Sequence, residues 1–339
     1  MTPAPSPARS PYVDHHVHLV RVSAGAKRAY TVGRPETIAD YHRRIFAAGL
    51  TPMDEPPSDP AADDLVAALR DGLQKAAHLG LTGITEAGLN DWALWDALVR
   101  LRDEDGGRLP VDVRILIASG AADLDRMANA ARDNDEHLAV VGVKFYADGW
   151  LGPRTCACSL PFVDVEGEER GILFLDAETL ARRAGPFADA GWGLATHAIG
   201  DRAIEACLDA YETVYGGAEG CREGAPRIEH AQVLRPELIE RMADLGVVAC
   251  IQPCFAASDA ESIALALAGR LPESYRWDLL LEAGVRVIAG SDFPIETLDP
   301  QIGLERLQQG PFPLSEDVAR TLMTTPLDAV WPKAAGQRR

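Results

Sequence analysis

The sequence predicts a single (β/α)₈ barrel, and its length, its recurring short apolar runs and its lack of a dinucleotide-binding glycine pattern support this fold. The chain has 339 residues, and α/β barrels commonly exceed two hundred residues in one domain. Hydrophobic residues make up 47 % of the chain and charged residues 25 %. This is the composition of an ordinary globular protein with a sizeable core.

Eight short apolar runs are typical of parallel strands that are buried on both faces. They cover residues 12–19, 84–87, 113–119, 140–146, 193–197, 227–230, 247–251 and 287–291. Several of the amphipathic segments between them begin with Asp or Pro and end with Gly, as capped helices do. No G-x-G-x-x-G pattern follows any of the runs, which disfavours a doubly wound dinucleotide-binding sheet.

Two long connections follow the first and fourth predicted strands. Residues 20–62 are rich in proline, and residues 148–175 come directly after the fourth run. Loops after barrel strands lie at the C-terminal face, where substrates bind. We therefore expect both loops to border the active site as a lid or pocket wall, although an ordinary surface excursion is the alternative. Residues 1–11 are expected to be disordered, and residues 12–335 to form the barrel.

The net charge of −18 disfavours nucleic acid and anionic membranes as partners, because both would be repelled by the average surface. No run reaches eighteen apolar residues, and the first residues lack the apolar core of a secretory signal, so we expect a cytoplasmic protein. Six cysteines are too few and too scattered for a disulfide framework. Cys156 and Cys158 lack a second pair at zinc-site spacing.

Six of the eight predicted strands end in residues that can bind metal or transfer protons. His16 and His18 are two residues apart, so on a strand their side chains share one face about 6.6 Å apart. The carboxyl ends of barrel strands converge on one mouth, and imidazole and carboxylate donors suit zinc, manganese or iron. The residues are His16, His18, Glu86, Lys144, His197, His230 and Asp292.

Lys144 is an unusual candidate, because a protonated amine repels cations. A buried, deprotonated amine can react with carbon dioxide, and the resulting carbamate could bridge two metal ions. The alternative is a structural lysine that pairs with a carboxylate such as Asp148.

Four further residues are candidates for contacts around the substrate, and Glu86 is a candidate for support of the ligands. Tyr146 and Arg154 could hold a carbonyl oxygen or a carboxylate, although an arginine in a loop is often a solvated ion-pair partner. Asp201 stands where a helix is expected to begin, so N-capping explains it equally well. Gln252 follows the seventh strand and could bind a polar group of the substrate. Glu86 is expected to support the ligands or to replace Lys144 among them.

The motifs DHHVHL, GVKFYADGWLGPRT, THAIGDRAI, RIEHAQ, IQP and GSDFPIE occur in this order. In this order they resemble the amidohydrolase superfamily, specifically the amidohydrolase family 3 branch that includes N-substituted formamide deformylases. The resemblance implies two divalent ions, with zinc expected before manganese or iron. It also implies that Asp292 takes a proton from a bridging water and passes it to the leaving nitrogen. The implied ligands are His16, His18 and Asp292 for one ion, His197 and His230 for the other, and carboxylated Lys144 as the bridge.

The chain departs from this branch in two respects. Relatives usually carry a β-sandwich built from both chain ends, and with about eleven residues before the first strand we expect that sandwich to be missing. A barrel without the sandwich would expose apolar surface that a second subunit could cover, so a homodimer is a hypothesis. Where relatives tend to have Q-P-x-H, this chain has Cys254 and Phe255 after Gln252 and Pro253. The substrate is therefore expected to differ.

The predicted function is hydrolysis of a carbon–nitrogen bond in a small amide, formamide or cyclic amide by a metal-activated hydroxide. One alternative is a single-metal site or a non-amide reaction, such as deamination, lactone hydrolysis or decarboxylation, on the same barrel. Another alternative is a catalytically silent protein that only binds metal.

Overall fold

The computed structural model describes residues 11–19, 35–54, 65–267 and 273–331. Eight parallel strands pair in the order β1 to β8, so the predicted (β/α)₈ architecture is confirmed. All eight predicted runs form strands, with bounds that shift by up to three residues. The strands are β1 (Tyr12–Val17), β2 (Leu81–Leu89), β3 (Asp112–Ala118), β4 (Leu138–Tyr146), β5 (Gly193–Ala198), β6 (Arg227–His230), β7 (Val248–Ile251) and β8 (Arg286–Ala289).

The barrel closes between β1 and the segment just after β8. Val17 forms a parallel bridge with Phe293, and the Asp292 amide donates to the His16 carbonyl oxygen at 2.7 Å. The Asp14 carboxylate accepts hydrogen bonds from the amides of His16 at 3.0 Å and Ser291 at 2.9 Å. Closure therefore holds two predicted metal ligands, His16 and Asp292, side by side.

Helices surround the strands in the predicted alternation. Asp91 and Asp123 cap the helices that follow them through side-chain hydrogen bonds, as the sequence suggested. Within the described part of the chain, no helix combines the length and apolarity needed to cross a bilayer. The α-helices are Pro35–Ala47, Leu65–His78, Trp92–Glu104, Leu124–Ala130, Ala177–Asp189, Asp201–Tyr215, Ala218–Gly224, Pro236–Leu245, Phe255–Ser258, Ala260–Ala266, Trp277–Glu282, Pro300–Gln309 and Glu316–Thr324.

The two predicted long loops differ from each other. Residues 148–175 contain no helix or strand, only an isolated bridge between Asp148 and Leu173. The expectation of a loop at 20–62 is wrong in part, because Pro35–Ala47 is a helix. Its buried residues Ala39, His42 and Ile45 recur every three positions, a pattern obscured by the proline-rich sequence around it. Residues 20–34 and 55–64, like residues 1–10 and 332–335, lie outside the described residues.

The interior of the barrel forms a small core of its own, separate from the larger one between strands and helices. Its members come from five strands and from the turn after the last helix. Trp331 is 8 % exposed and reaches in from that turn, where its ring lies 3.0 Å from the position that a Cβ on Gly193 would take. The interior residues are Leu116, Ala139, Val141, Ala195, Val248, Cys250, Ile288, Val330 and Trp331.

A β-bulge in β4 decides which of its side chains face the barrel interior. Ile115 pairs with Val140 whereas the next residue, Leu116, pairs with Gly142, so Val141 is an extra residue in β4. Val141 packs inside the barrel, and the bulge reverses the alternation that follows, which turns Lys144 inward. Bulges commonly re-aim side chains in this way beside active sites.

The packing of Gly142 makes a testable prediction about this part of the sheet. A Cβ at this position would lie 2.1 Å from the carbonyl oxygen of Gly193, on the neighbouring strand. Gly142→Ala should therefore lower the free energy of unfolding by about 1–3 kcal/mol, measured by denaturant titration of the metal-free protein. Gly152→Ala is the control, because a Cβ there lies no nearer than 3.9 Å to the Trp150 ring, and its free energy of unfolding should change by less than about 0.5 kcal/mol. Equal stability of the two variants would contradict the assigned strand pairing.

Candidate metal centre

His16, His18 and Asp292 form a compact group of metal donors where β1 meets the end of β8. One donor atom from each lies within 4.8 Å of the others. The Asp292 Oδ1 atom is 3.4 Å from His16 Nε2 and 3.1 Å from His18 Nε2. The three donors thus lie close together at the mouth of the barrel, where the sequence predicts them. Imidazole and carboxylate groups are residue types that suit a divalent ion.

His230 and His197 extend this group across the mouth of the barrel. The ring centroids of His16 and His230 are 5.2 Å apart, and those of His230 and His197 are 4.5 Å apart. All three rings are buried. The four histidines therefore form one continuous row from β1 through β6 to β5.

Buried carboxylates lie beside His16, in β1, and His18, directly after it. His16 Nδ1 is 2.6 Å from Glu229 Oε2, and His18 Nδ1 is 3.6 Å from Glu86 Oε1. Glu86 also accepts a hydrogen bond from the Leu19 amide. Since Nδ1 of each ring faces a protein acceptor, Nε2 is the nitrogen left for an ion. Partners of this kind fix the tautomer and orientation of metal-bound imidazoles.

The other two histidines are oriented by neutral groups. His197 Nε2 donates to the Gly149 carbonyl oxygen at 2.9 Å, which leaves Nδ1 for an ion. His230 Nδ1 donates to the Gln252 side-chain oxygen at 2.7 Å, which leaves Nε2. The rings of His16, His197 and His230 therefore each have one nitrogen hydrogen-bonded within the protein, which leaves the other nitrogen for the shared centre.

The backbone is strained at two of the candidate ligands. His230 has a φ of 77° and Asp292 a φ of 57°, both in the left-handed region that non-glycine residues rarely adopt. Regular alternation along β6 would turn His230 away from Glu229 and out of the barrel, and the left-handed conformation redirects it. Such residues cost about 1–3 kcal/mol each and cluster at functional sites.

Lys144 is buried in the same cluster at 2 % exposure. Burial lowers the pKa of its amine, against the opposing charges of Glu229 and Asp292. The charge of Lys144 in turn contributes to lowering the pKa of His197, after burial and His230. The alternative pairing with Asp148 is not formed, because that carboxylate accepts hydrogen bonds from the amides of Ala157, Ile199 and Gly200 instead.

The protonation states of the donors suit a metal ion. Burial lowers the pKa of His230 to about 3, so its ring is neutral at pH 7, the form that binds metal. Burial opposes ionisation of Asp292, but the neighbouring His16 and His18 hold its pKa well below the usual range. Asp292 Oδ1 is buried without a hydrogen-bond partner. An anionic oxygen and several neutral imidazoles facing one centre fit a divalent cation.

A second group of donors, His16, Glu229 and Cys250, also lies within 4.8 Å, but its electrostatics do not favour a cation. The Arg227 guanidinium donates to Glu229 from inside the barrel. Burial raises the pKa of the Cys250 thiol well above its usual range, so the sulfur stays protonated. These residues hold His16 in place rather than form a further ion site.

Tyr146, a predicted substrate contact, lies against a candidate ligand. Its ring stacks on that of His197, with centroids 3.7 Å apart and planes 12° from parallel. Arg154 is engaged elsewhere, because its guanidinium pairs with Asp164 at 3.0 Å through Nε and donates to the Gly152 carbonyl oxygen at 2.7 Å. The loop ion pair weighed as its alternative role is therefore the one formed.

Asp201 and Gln252 are both engaged within the protein. Gly200, not Asp201, is the N-cap of the helix Asp201–Tyr215, so the capping interpretation of Asp201 is wrong. Its carboxylate accepts from the Ser159 amide at 2.8 Å and pairs with Arg235 at 3.0 Å. Gln252 orients His230 and donates to the Cys250 carbonyl oxygen at 3.1 Å, so both ends of its amide have protein partners.

Sequence reasoning missed Glu229 and Arg227, which are buried on the inner face of β6. Arg227 and Glu229 are each 0 % exposed. The available signal was the spacing of two charged residues in RIEH, since residues two apart on a strand share a face and buried charges are rarely without a role.

Relatives with known sequences support the same family. A family model described as the amidohydrolase family matches residues 36–307. The chain is 34 % identical to the Bacillus subtilis protein YtcJ over 201 residues, which are 59 % of this chain and 37 % of that protein. It is 34 % identical to the N-substituted formamide deformylase of Arthrobacter pascens over 113 residues, 32 % of this chain and 20 % of that enzyme. The matched region thus spans well under half of these relatives.

Solved structures share the fold at low sequence identity. An uncharacterized metal-dependent hydrolase from Pyrococcus furiosus superposes with a TM-score of 0.70 at 21 % identity, over 93 % of this chain and 80 % of that chain. The ochratoxinase of A. niger superposes with a TM-score of 0.56 at 17 % identity, over 95 % of this chain and 72 % of that chain. With the family match covering most of its length, the chain belongs to the amidohydrolase family.

Proposed function

We propose that this protein hydrolyses a carbon–nitrogen bond in a small amide, formamide or cyclic amide. The observation that carries the proposal is the convergence of His16, His18 and Asp292 donor atoms within 4.8 Å, with each ring turned toward that point by a buried partner. The name of the Arthrobacter pascens relative supports a formamide as one substrate class. Membership of the amidohydrolase family supports hydrolysis in general. The cleavage of a carbon–nitrogen bond in particular is what we propose.

In this proposal His16, His18 and Asp292 hold one divalent ion, and His197 and His230 hold a second. Bound divalent ions such as zinc acidify water toward neutrality and polarise a carbonyl group. Asp292 then accepts a proton at its carboxylate and returns it to the leaving nitrogen. Because His16 and His18 hold the pKa of Asp292 below its usual range, the carboxylate is ionised at pH 7 and has an oxygen that can accept the proton.

We propose that Lys144 would help to hold both ions, through a carbamate that forms when its neutral amine adds carbon dioxide and loses one proton. Two properties support this role. Burial lowers the pKa of the amine, which favours the neutral form that reacts with carbon dioxide. Among the described residues, no carboxylate lies within ion-pair distance of Lys144. The compact group at His16, His18 and Asp292 also supports the alternative of a single ion. The number of zinc equivalents bound per chain distinguishes the two possibilities.

The proposed substrate lies against an aromatic wall on the His197 and His230 side. Tyr146 stacks on His197, and the Phe255 ring is parallel to that of His230 at 5.9 Å. These rings offer apolar contact, so we expect an amide with a compact apolar group rather than a charged one. A panel of N-substituted formamides, simple amides and cyclic amides tests the substrate class.

Replacement of the proton carrier tests the mechanism. Asp292→Asn keeps the size of the side chain but removes the basic oxygen, and turnover of any substrate found in that panel should fall by at least about 100-fold. Metal content, measured by elemental analysis, must be determined alongside, since Asp292 is also a ligand. Asp299→Asn is the control, because Asp299 only caps the helix Pro300–Gln309 and Asn caps equally well. Wild-type turnover in a metal-loaded Asp292→Asn protein would contradict the mechanism.

Replacement of the bridging lysine tests the number of ions. We expect the wild-type protein, loaded with zinc in bicarbonate buffer, to bind two equivalents, and Lys144→Ala to bind fewer, because the bridge is lost. Lys75→Ala removes an exposed lysine that pairs only with Asp71, and it should bind as the wild type does. A carbonyl signal from ¹³C-bicarbonate that is present in wild type and Lys75→Ala but absent in Lys144→Ala would identify the carbamate. One equivalent in the wild type, without that signal, would favour the single-ion alternative.

A further inference from the structure

A fully buried arginine crosses the barrel interior just below the candidate metal centre. Arg227, on β6, is 0 % exposed, and its guanidinium lies 4.4 Å from the centre of the Trp331 ring. A buried charge is costly unless hydrogen bonds and an opposite charge compensate for it. The position of Arg227 therefore calls for an explanation beyond packing.

The guanidinium reaches the ligand His16 by two routes. Its Nε donates to the Glu229 carboxylate, whose other oxygen is 2.6 Å from His16 Nδ1. Its terminal nitrogen also donates to the carbonyl oxygen of His15 at 2.8 Å, on the residue just before His16. One planar group thus restrains both the ring of His16, through Glu229, and the backbone that carries it.

The contact with Arg227 also defines the acceptor that His16 meets. One oxygen of Glu229 accepts from the guanidinium, and the other lies 2.6 Å from His16 Nδ1, so the carboxylate stands between a permanent positive charge and the ring. An ionised carboxylate is the stronger acceptor for the His16 Nδ1–H group. A partner of that strength fixes the ring and raises the basicity of its free nitrogen toward a metal ion.

We propose that Arg227 is a positioning residue for the metal ligand His16, which it orients through Glu229 and through the His15 carbonyl oxygen. This inference rests on the proposed function, because it requires that His16 bind a metal ion. Lysine would not substitute well, since its ammonium lacks the planar fork that serves both partners at once.

Zinc affinity of the metal-free protein measures this role directly. In a competition titration of zinc against a chromophoric chelator, Arg227→Lys and Glu229→Gln should each raise the Kd on the order of 10–100-fold. The ligand-field spectrum of bound Co²⁺ should change in both, because the orientation of His16 changes. The loss of affinity in the double variant should be smaller than the product of the two single losses, since the two residues share the route through Glu229.

Arg114→Lys is the matched control. Arg114 is also buried, at 5 % exposure, and its guanidinium pairs with Asp328 in the same C-terminal turn that leads to Trp331. It contacts no candidate ligand among the described residues. The zinc Kd and the Co²⁺ spectrum of this variant should match the wild type, although its free energy of unfolding falls.

Three outcomes would overturn the inference. If Arg227→Lys lowers the free energy of unfolding, as Arg114→Lys does, but leaves the zinc Kd unchanged, the arginine is only structural. If Arg227→Lys does not fold, an unchanged zinc Kd in Glu229→Gln leads to the same conclusion. If the wild-type protein binds no zinc at all, the proposed function is wrong as well. This result distinguishes failure of the proposed function from failure of the inference about Arg227 alone.

Discussion

The site depends on the hydrogen bonds that occupy one nitrogen of each buried histidine. Glu229, Gly149 and Gln252 each take a ring nitrogen of His16, His197 or His230, and this leaves the other nitrogen of each ring for the centre. Without these partners, the three imidazoles could rotate independently. The direction in which the rings point, rather than their mere presence, makes the cluster suitable for metal ions.

The barrel supplies this geometry through departures from regular structure. The bulge in β4 turns Lys144 inward, and left-handed backbone at His230 and Asp292 turns two further ligands toward the mouth. A regular eight-stranded barrel would bring the strand ends together but would point several of these side chains into the helix layer. The fold thus brings the strand ends to one place, and the bulge and the left-handed residues turn the side chains toward the centre.

The sequence could predict the barrel, and that His16, His18 and Asp292 lie together, because both depend on short-range patterns. Apolar runs mark strands, and residues at the carboxyl ends of barrel strands must meet at one mouth. The roles of Arg154, Asp201 and Gln252 could not be predicted, because their partners Asp164, Arg235 and His230 are determined by tertiary packing. The helix Pro35–Ala47 is hard to predict because prolines surround it, and the burial of Arg227 and Glu229 is hard to predict because it depends on contacts with distant residues such as His16.

Arg227 and Lys144 are both buried inside the barrel, but they differ in their partners. Arg227 has a carboxylate, a carbonyl oxygen and an aromatic ring as partners, and a guanidinium remains charged in proteins. Lys144 lies in the same interior, but among the described residues no carboxylate is within ion-pair distance of its amine. Burial lowers the pKa of that amine. A lysine changes its charge state on burial far more readily than an arginine. Arginine is therefore the residue suited to a permanent charge that supports the site, and lysine the one suited to become chemically reactive within it.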